Sequence, residues 1–376
     1  MDDEKKWILS TGSVVEDKLY EYACTKADEH LSHSFILDVN DATYVKDGVF
    51  TTDEISEIHA FEPKAMPKLP DDLMEYLKSF EVNTTQELRS ALYKAHPWQL
   101  DFDFHRSSDF DWIHQTFFAF ARMLESGALA HSHLESWYNA HVWRMIDTIF
   151  DDIPDIEVAR GEATSTASAN RKNANRSDHH ERKKFGRKLD LIIKLIRAHH
   201  EHAFEFGGGE VGKLYEQGNG TKPLAEAGLK LPKVLKDMLA DLIDSTDNSI
   251  DKARKLETLG LVSYGLSLTM LRLDFPCGYV CRLTRTNSIN IITSTCRQTC
   301  KSLIQCLCMI WMAKAMIVST KAIVEDVMDK EENWIQNCIQ VTQPNSSNSF
   351  VTQQILPPTF STPQNNRVKR IHSIPC

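Results

Sequence analysis

The sequence predicts an α+β protein with a central mixed β-sheet flanked by helices, and three observations lead to that prediction. Two strongly amphipathic helical patterns cover residues 107–126 and 134–150. Two strand-like segments then meet at a short turn near residue 199, and a helical pattern follows over 232–244. Further strand-like segments and a long apolar helical segment come next, an order of elements that is typical of one packed α+β core.

Composition supports a globular protein. The chain has 376 residues, of which 42% are hydrophobic and 25% charged, and both values are ordinary for a folded domain. The N-terminus has no apolar run after its first charges, and the most apolar stretch, 303–318, is shorter than the roughly 20 residues that span a bilayer. We therefore predict an intracellular protein, in the cytoplasm or the nucleus, without a signal peptide, a transmembrane segment or a membrane partner.

The nine cysteines lack the spacing of a zinc site. Cys277 with Cys281 and Cys296 with Cys300 form two Cys-x3-Cys pairs, whereas zinc sites usually have Cys-x2-Cys spacing with a matching second pair. The pattern favours buried, reduced thiols and a reducing compartment.

The net charge of −9 is unevenly distributed. Residues 1–157 carry −18 and residues 158–376 carry +9, with the basic excess densest over 160–197. A field divided in this way attracts a polyanion to one half of the chain and repels it from the other. This indicates nucleic acid as a partner, with a merely solvated basic loop as the alternative. A protein partner would bind through the acidic N-terminal region or the tail.

Residues 1–104 are predicted to form a mostly helical N-terminal accessory region. The expected elements are helices over 14–27, 71–80 and 84–96 and a strand over 33–39, with a linker marked by Pro63, Pro67 and Pro70. The α+β core is expected over 105–340, and residues 341–376, which are rich in Gln, Asn, Ser, Thr and Pro, are predicted to be a disordered tail.

Within the core, helical periodicity is lost after the second helix, and residues 151–187 are predicted to be a long basic loop. Two strands form a hairpin after it, and the second is expected to end at three consecutive glycines, Gly207 to Gly209. The remaining expected elements are a helix over 232–244, strands over 261–273 and 279–292, and a cysteine-rich helix from residue 296 to about residue 328.

Carboxylates gather around this hairpin. Antiparallel counting places Glu210 almost beside Asp190, with Glu205 a few residues nearer the turn. A bulge at the glycines would swing one or both glutamates toward Asp190. Converging carboxylates bind Mg²⁺, or Mn²⁺ in its place, and Lys213 would supply a positive charge that orients a water or stabilises a phosphoryl transition state.

This layout resembles the PD-(D/E)xK nuclease-like fold, in particular the nuclease-like domains of Crinkler-type effectors and of uncharacterised fungal proteins. The resemblance covers roughly residues 130–320 and implies a restriction-endonuclease-like core of αβββαβ type. It also implies catalytic roles for Asp190, Glu205, Glu210 and Lys213, with the three carboxylates as metal ligands. Arg171, Lys172 and Arg187 would bind phosphates of the nucleic-acid backbone.

Two departures from the family pattern leave alternatives open. Leu189 stands where the motif has proline, and Gly207 stands where the lysine of Glu205-x-Lys is expected. Either Lys213 has taken over the lysine's role, or that role is absent. The predicted function is divalent-metal-dependent phosphodiester hydrolysis on nucleic acid, and the alternative is a non-catalytic interaction protein on a degenerate nuclease-like scaffold. The run from His199 to His202 is interpreted as an exposed turn rather than a metal site.

Overall fold

The computed structural model describes residues 1–174, 182–196, 203–212, 226–246, 249–339 and 355–360, with the side chains of 226–227 and 328–339 excepted. In this part of the chain the architecture is α+β, as predicted, with one mixed sheet surrounded by helices. The strands are β1 Ile36–Asp38, β2 Ile156–Thr164, β3 Lys188–Leu195, β4 Phe204–Gly212, β5 Glu257–Tyr264, β6 Ser267–Cys277, β7 Val280–Arg285 and β8 Ile289–Asn290.

The strand order is β1-β7-β6-β5-β4-β3-β2, with β8 paired to β6. Neighbours β2, β3 and β4 form an antiparallel meander, and β5 lies parallel to β4 on its other side. The connection between β4 and β5 contains a helix, as a parallel crossover requires. Strand β1 pairs in parallel with β7 at the far edge.

Helices cover the sheet and build the N-terminal region. They are α1 Val15–Thr25, α2 Thr43–Lys46, α3 Thr52–Ala60, α4 Asp71–Lys78, α5 Thr85–Leu92, α6 Pro97–Leu100, α7 Phe104–Glu125, α8 Glu135–His141, α9 Arg144–Thr148, α10 Thr166–Asn173, α11 Leu231–Asp244, α12 Ile250–Ala253 and α13 Cys296–Ile339. Short 3₁₀ turns occupy Asp3–Lys5, Leu31–Ser34 and Ala128–Ala130, and a π-helix occupies Glu226–Lys230. Both α11 and α13 contact β4 and β5, whose residues are almost all buried.

The N-terminal region is joined to the sheet. Its own apolar cluster contains Trp7, Tyr44 and Phe50, together with Leu37 of β1 and Val280 of β7. Strand β1 was predicted, but its pairing with β7 was not, and this pairing means that no break in the sheet marks the expected boundary at residue 104.

The predicted loop over 151–187 is wrong in its first half, where β2 and α10 lie. Strand β2 is at the edge of the sheet and is only partly buried, and its apolar alternation is confined to Ile156 and Val158 on either side of Glu157, too short a pattern to predict a strand. Helix α10 begins where the Ser165 side chain accepts a hydrogen bond from the Ser168 amide. Neither signal depends on hydrophobic periodicity.

Four other elements differ from expectation. The helix predicted over 84–96 ends at Leu92, and the strand predicted over 279–292 is divided into β7 and β8. The other two are also interrupted. The helix predicted over 134–150 is divided into α8 and α9 near the buried Trp143, whose indole donates to the Gly265 carbonyl at 2.9 Å. The strand predicted over 261–273 is a hairpin of β5 and β6, because Gly265 adopts a left-handed φ of 58° at its turn. The helices expected over 14–27, 71–80, 107–126 and 232–244 are confirmed within a few residues at each end.

The tail prediction does not hold for residues 355–360. Leu356 is 2% exposed and belongs to the main apolar cluster, and Thr359 is also buried. Apolar anchors at Ile355, Leu356 and Phe360 explain this packing, which the polar composition of the surrounding tail obscured. The remainder of 341–376 lies outside the described residues.

Helix α13 is the one described segment that is long and apolar enough to cross a membrane, over Cys296–Val327. In this structure 61% of the most apolar 18-residue part of this segment is buried inside the protein, as in the core helix of a globular fold. The described cysteines are free thiols, and Cys281, Cys300 and Cys306 are buried.

Candidate functional site

The C-terminal end of β4 carries Glu210, which is 2% exposed. Its Oε1 lies 2.8 Å from Nζ of Lys230, the last residue of the π-helix that leads into α11. In the parallel pairing Glu210 is next to Val262 of β5. The ion pair therefore lies where a parallel strand ends and its crossover helix begins, the usual position of ligand sites in sheets of this kind.

Asp190 lies on the neighbouring strand β3. The pair Leu191–Gly209 is the last in the β3–β4 register, so one further residue along each strand places Asp190 across from Glu210, as predicted. The Asp190 Oδ2 accepts a hydrogen bond from the Val211 amide at 2.7 Å. On its other side, β2 has a bulge between Arg160 and Ala163.

Glu205 does not join this pair. It lies five positions before Glu210 in the sequence, which corresponds to about 16 Å along a strand that rises about 3.3 Å per residue. Its Oε2 accepts from the Ser165 hydroxyl at 2.6 Å and its Oε1 accepts from the Thr166 amide at 2.6 Å, so the carboxyl caps the start of α10. Burial raises the pKa of Glu205. The structure therefore places the predicted metal ligand Glu205 at the start of α10, away from Asp190 and Glu210.

The three glycines do not end β4, contrary to prediction. They lie inside it, and a Cβ at Gly207 or Gly209 would come within 2.5 Å of the carbonyl oxygen of Leu259 or Leu261. The register shift between β3 and β4 falls between Ile193 and Lys194 instead. The glycines thus allow close packing of β4 against β5 and do not redirect Glu205 toward Asp190.

A cavity of about 600 Å³ is lined by immediate neighbours of Glu210 and Lys230. Val262, which neighbours Glu210, lines it, as do Gly228 and Leu229 of the π-helix. Its remaining lining is Glu29, His30, Leu31, Asp38, Asp41, Tyr264, Ser267, Thr269, Leu271, Arg285 and Ser288. Asp38 pairs with Arg285 at 2.7 Å and Asp41 with His30 at 3.2 Å, so both aspartates have cationic or imidazole partners.

The predicted phosphate-binding residues lie together, but they are engaged within the protein. Arg171 pairs with the buried Asp237 of α11 at 2.7 Å. Lys172 donates to the Phe185 carbonyl at 2.9 Å. Burial, followed by the nearby charges of Arg187 and Arg171, lowers the pKa of Lys172, and burial also lowers that of Arg187. They form a partly enclosed cluster rather than the exposed basic loop that the sequence suggested.

Sequence reasoning missed Lys230 and the charges of α11. Lys233, Lys236 and Asp237 are buried, because α10, the 3₁₀ turn Leu31–Ser34 and residues 355–360 all lie against that side of the helix. Lys230, Lys233 and Lys236 recur at intervals of three residues, which places them near one face of a helix. This spacing was the available signal.

Two predicted features fall outside the described residues: Lys213, and the run from His199 to His202. Among the side chains that the structure does describe, no group of three or more His, Cys, Asp or Glu is arranged to hold a metal ion. Of the three predicted ligands, Asp190 and Glu210 lie opposite each other on β3 and β4, and Glu205 lies away from them at the start of α10.

Comparison of the chain with protein-family models, with curated proteins and with solved structures found no match in any of the three.

Proposed function

We propose that this protein is a divalent-metal-dependent phosphodiesterase that acts on nucleic acid. The observation that carries the proposal is the buried Glu210, held 2.8 Å from Lys230 on the strand next to Asp190. Two carboxylates and an amine on adjacent elements are the residue types that phosphoryl chemistry uses, since the carboxylates bind a cation and the amine stabilises developing negative charge.

The chain order supports a restriction-endonuclease-like core. Strands β2, β3 and β4 form a meander, α11 follows, and β5 returns parallel to β4. With α8 and α9 before β2, this order fits the αβββαβ arrangement that the resemblance to PD-(D/E)xK proteins implies. Asp190 lies on the second strand of that unit and Glu210 on the third, as the same resemblance implies.

Asp190 and Glu210 would hold the metal ion. Mg²⁺ is usually bound through one or two protein carboxylates together with waters and substrate phosphates, so two carboxylates suffice for it or for Mn²⁺. When bound, the ion would neutralise phosphate charge and activate a water. In this arrangement the Val211 amide orients Asp190 by donating to its Oδ2 at 2.7 Å.

Lys230 takes the part that the sequence suggested for Lys213. Its side chain is 27% exposed, its Nζ lies 2.8 Å from the buried Glu210, and the two residues before it, Gly228 and Leu229, line the cavity. A cation in that position stabilises the additional negative charge of a phosphoryl transition state. The cavity of about 600 Å³ is of the size that small-molecule sites usually have, and it would receive a nucleotide next to the cleaved bond.

A second function, a non-catalytic interaction scaffold, is favoured by one specific observation. Each of the three predicted ligands already has a partner within the protein: Asp190 has the Val211 amide, Glu205 has the start of α10, and Glu210 has Lys230. A degenerate nuclease-like fold would retain such contacts for stability alone.

Titration calorimetry with Mg²⁺ and Mn²⁺ distinguishes the two functions. Asp190→Asn and Glu210→Gln should each weaken metal binding by about tenfold or more, in the range seen when groups around a metal are altered, and should abolish cleavage of mixed DNA and RNA substrates. Asp251→Asn, an exposed change on α12, serves as the matched control. Identical metal binding by wild type and Asp190→Asn would defeat the catalytic proposal and leave the scaffold.

A further inference from the structure

Residues 355–360 lie across the protein as a strap, and this name is used for them below. Leu356 anchors the strap in the main apolar cluster. Its last residue, Phe360, donates its amide to Ser34 Oγ at 3.1 Å, and its ring lies 5.1 Å from that of His33. The strap has no helix or strand of its own, so side-chain anchors and a few hydrogen bonds hold it in place.

Beneath the strap lies a charged cluster formed by Glu29, Arg171, Arg187, Lys233 and Asp237. Arg171 pairs with Asp237, and Lys233 pairs with Glu29. Arg187 lies close enough to Glu29 and Asp237 for both carboxylates to affect its pKa. Among the residues that the structure describes, this largely buried cluster contains three cationic and two anionic side chains, a composition that suits an anionic ligand.

The strap supplies polar partners to this cluster. Arg171 Nη1 donates to the Thr359 carbonyl at 3.2 Å, and Thr359 itself is buried. Lys233 Nζ lies 5.9 Å from the centre of the Phe360 ring. A carbonyl oxygen that accepts from an arginine occupies the position that a phosphate oxygen would take, with less negative charge than a phosphate offers.

We propose that the strap closes a phosphate-binding site formed by Arg171, Arg187 and Lys233, and that a nucleic-acid strand competes with it for these side chains. The inference rests on the proposed function for the identity of the ligand. Glu29, the partner of Lys233, lines the same cavity as Gly228 and Leu229, which precede Lys230, so a strand whose phosphate enters the cluster would extend along this cavity toward the Glu210–Lys230 pair. The strap therefore limits access of substrate to the site.

The test measures binding of a labelled single-stranded oligonucleotide by fluorescence anisotropy, at low salt and with EDTA present so that no metal is needed. The full chain with Leu356→Gln and Phe360→Ala, the released variant, is compared with wild type. If the strap covers the cluster in about nine molecules of ten, release strengthens binding about tenfold. Pro358→Ala, at an exposed position of the strap, is the matched control and should bind as wild type does.

Adding Arg171→Gln to the released variant should remove the gain in affinity, whereas adding Lys301→Gln, an exposed change on α13, should not. Equal binding by wild type and the released variant would overturn the proposal, as would a gain that Arg171→Gln leaves unchanged. Wild-type protein provides a readout that does not depend on any variant folding. Oligonucleotide should speed hydrogen exchange at the Phe360 amide, and unchanged exchange at a saturating concentration would contradict displacement of the strap.

Failure of the strap and failure of catalysis are distinguishable. If the released variant binds the oligonucleotide more tightly in EDTA but never cleaves it with Mg²⁺, the strap proposal stands and the catalytic proposal fails. If wild type cleaves the substrate and release of the strap does not change binding, the catalytic proposal stands and the strap proposal fails.

Discussion

The two ends of strand β4 place the same residue type in different roles. Glu205 and Glu210 are almost equally buried, at 1% and 2% exposure. Glu205 receives hydrogen bonds from a hydroxyl and a backbone amide at the start of α10, whereas Glu210 faces the amine of Lys230 beside a cavity. The comparison teaches that equally buried carboxylates can have very different partners, so burial alone does not indicate what a carboxylate does.

The largest expected effect is that of Glu205→Ala. The change leaves the Ser165 hydroxyl and the Thr166 amide without their acceptor in a buried place, so we expect unfolding free energy to fall by about 3 kcal/mol. Urea denaturation followed by circular dichroism measures it. Glu210→Ala, measured alongside, should lower stability by about 1 kcal/mol, because Lys230 remains partly hydrated. Equal losses at the two positions would remove the contrast between them.

A change between the two glutamates, Gly209→Ala, should lower stability by about 2 kcal/mol, since overpacking at a tight backbone contact displaces its neighbours. The new Cβ would lie 2.5 Å from the Leu261 carbonyl oxygen. Gly228→Ala is the matched control, because nothing lies within 4 Å of its Cβ position. Thermal melting of both variants checks the expectation. An unchanged melting temperature for Gly209→Ala would show that β4 and β5 can move apart at little cost.

The Glu210–Lys230 pair should show a smaller coupling. A double-mutant cycle with Glu210→Gln and Lys230→Gln is expected to give about 1 kcal/mol of interaction free energy, as for a pair with one partly hydrated partner. Chemical denaturation without metal supplies the four stabilities. A coupling of several kcal/mol would mean that the pair is chiefly structural, as the alternative function of a non-catalytic scaffold predicts.

The smallest effect concerns pH. Burial raises the pKa of Glu205 above its ordinary value. The neutral carboxyl therefore contributes its full stability below about pH 4.3, the pKa of Glu in the unfolded chain. That contribution is lost as pH rises through the higher pKa of Glu205 in the folded protein. Glu205→Gln does not titrate, and its amide offers one acceptor oxygen where the carboxyl offers two. Its stability deficit relative to wild type should therefore shrink from acidic to neutral pH, and denaturation across that range tests the sign.

Much of the fold could be predicted from local patterns. Helices α1, α7 and α11 follow the 3.6-residue spacing of apolar side chains, and the β3–β4 hairpin gave the position of Glu210 beside Asp190 by simple counting. Each of these features depends on residues near one another in the chain.

The rest depends on contacts between distant segments. The partner of Glu205, the start of α10, lies some forty positions earlier in the chain. No local pattern pointed to that contact, so Glu205 was expected to bind metal. Lys230 was missed because only the crossover from β4 to α11 brings it to Glu210. The packing of Leu356 depends on an apolar cluster to which many separate elements contribute. Spacing within one segment carries no information about such partners.

Strand β1 has a consequence for how the chain is made. Ile36 pairs with Cys281, and Asp38 binds Arg285, so the edge of the sheet joins segments that synthesis separates by most of the chain. At about 5–20 residues per second, the first strand waits on the order of ten seconds or more for its partner. During that interval Leu37 and its neighbours have no sheet to cover them, and early binding by a chaperone at the ribosome would protect this segment from aggregation.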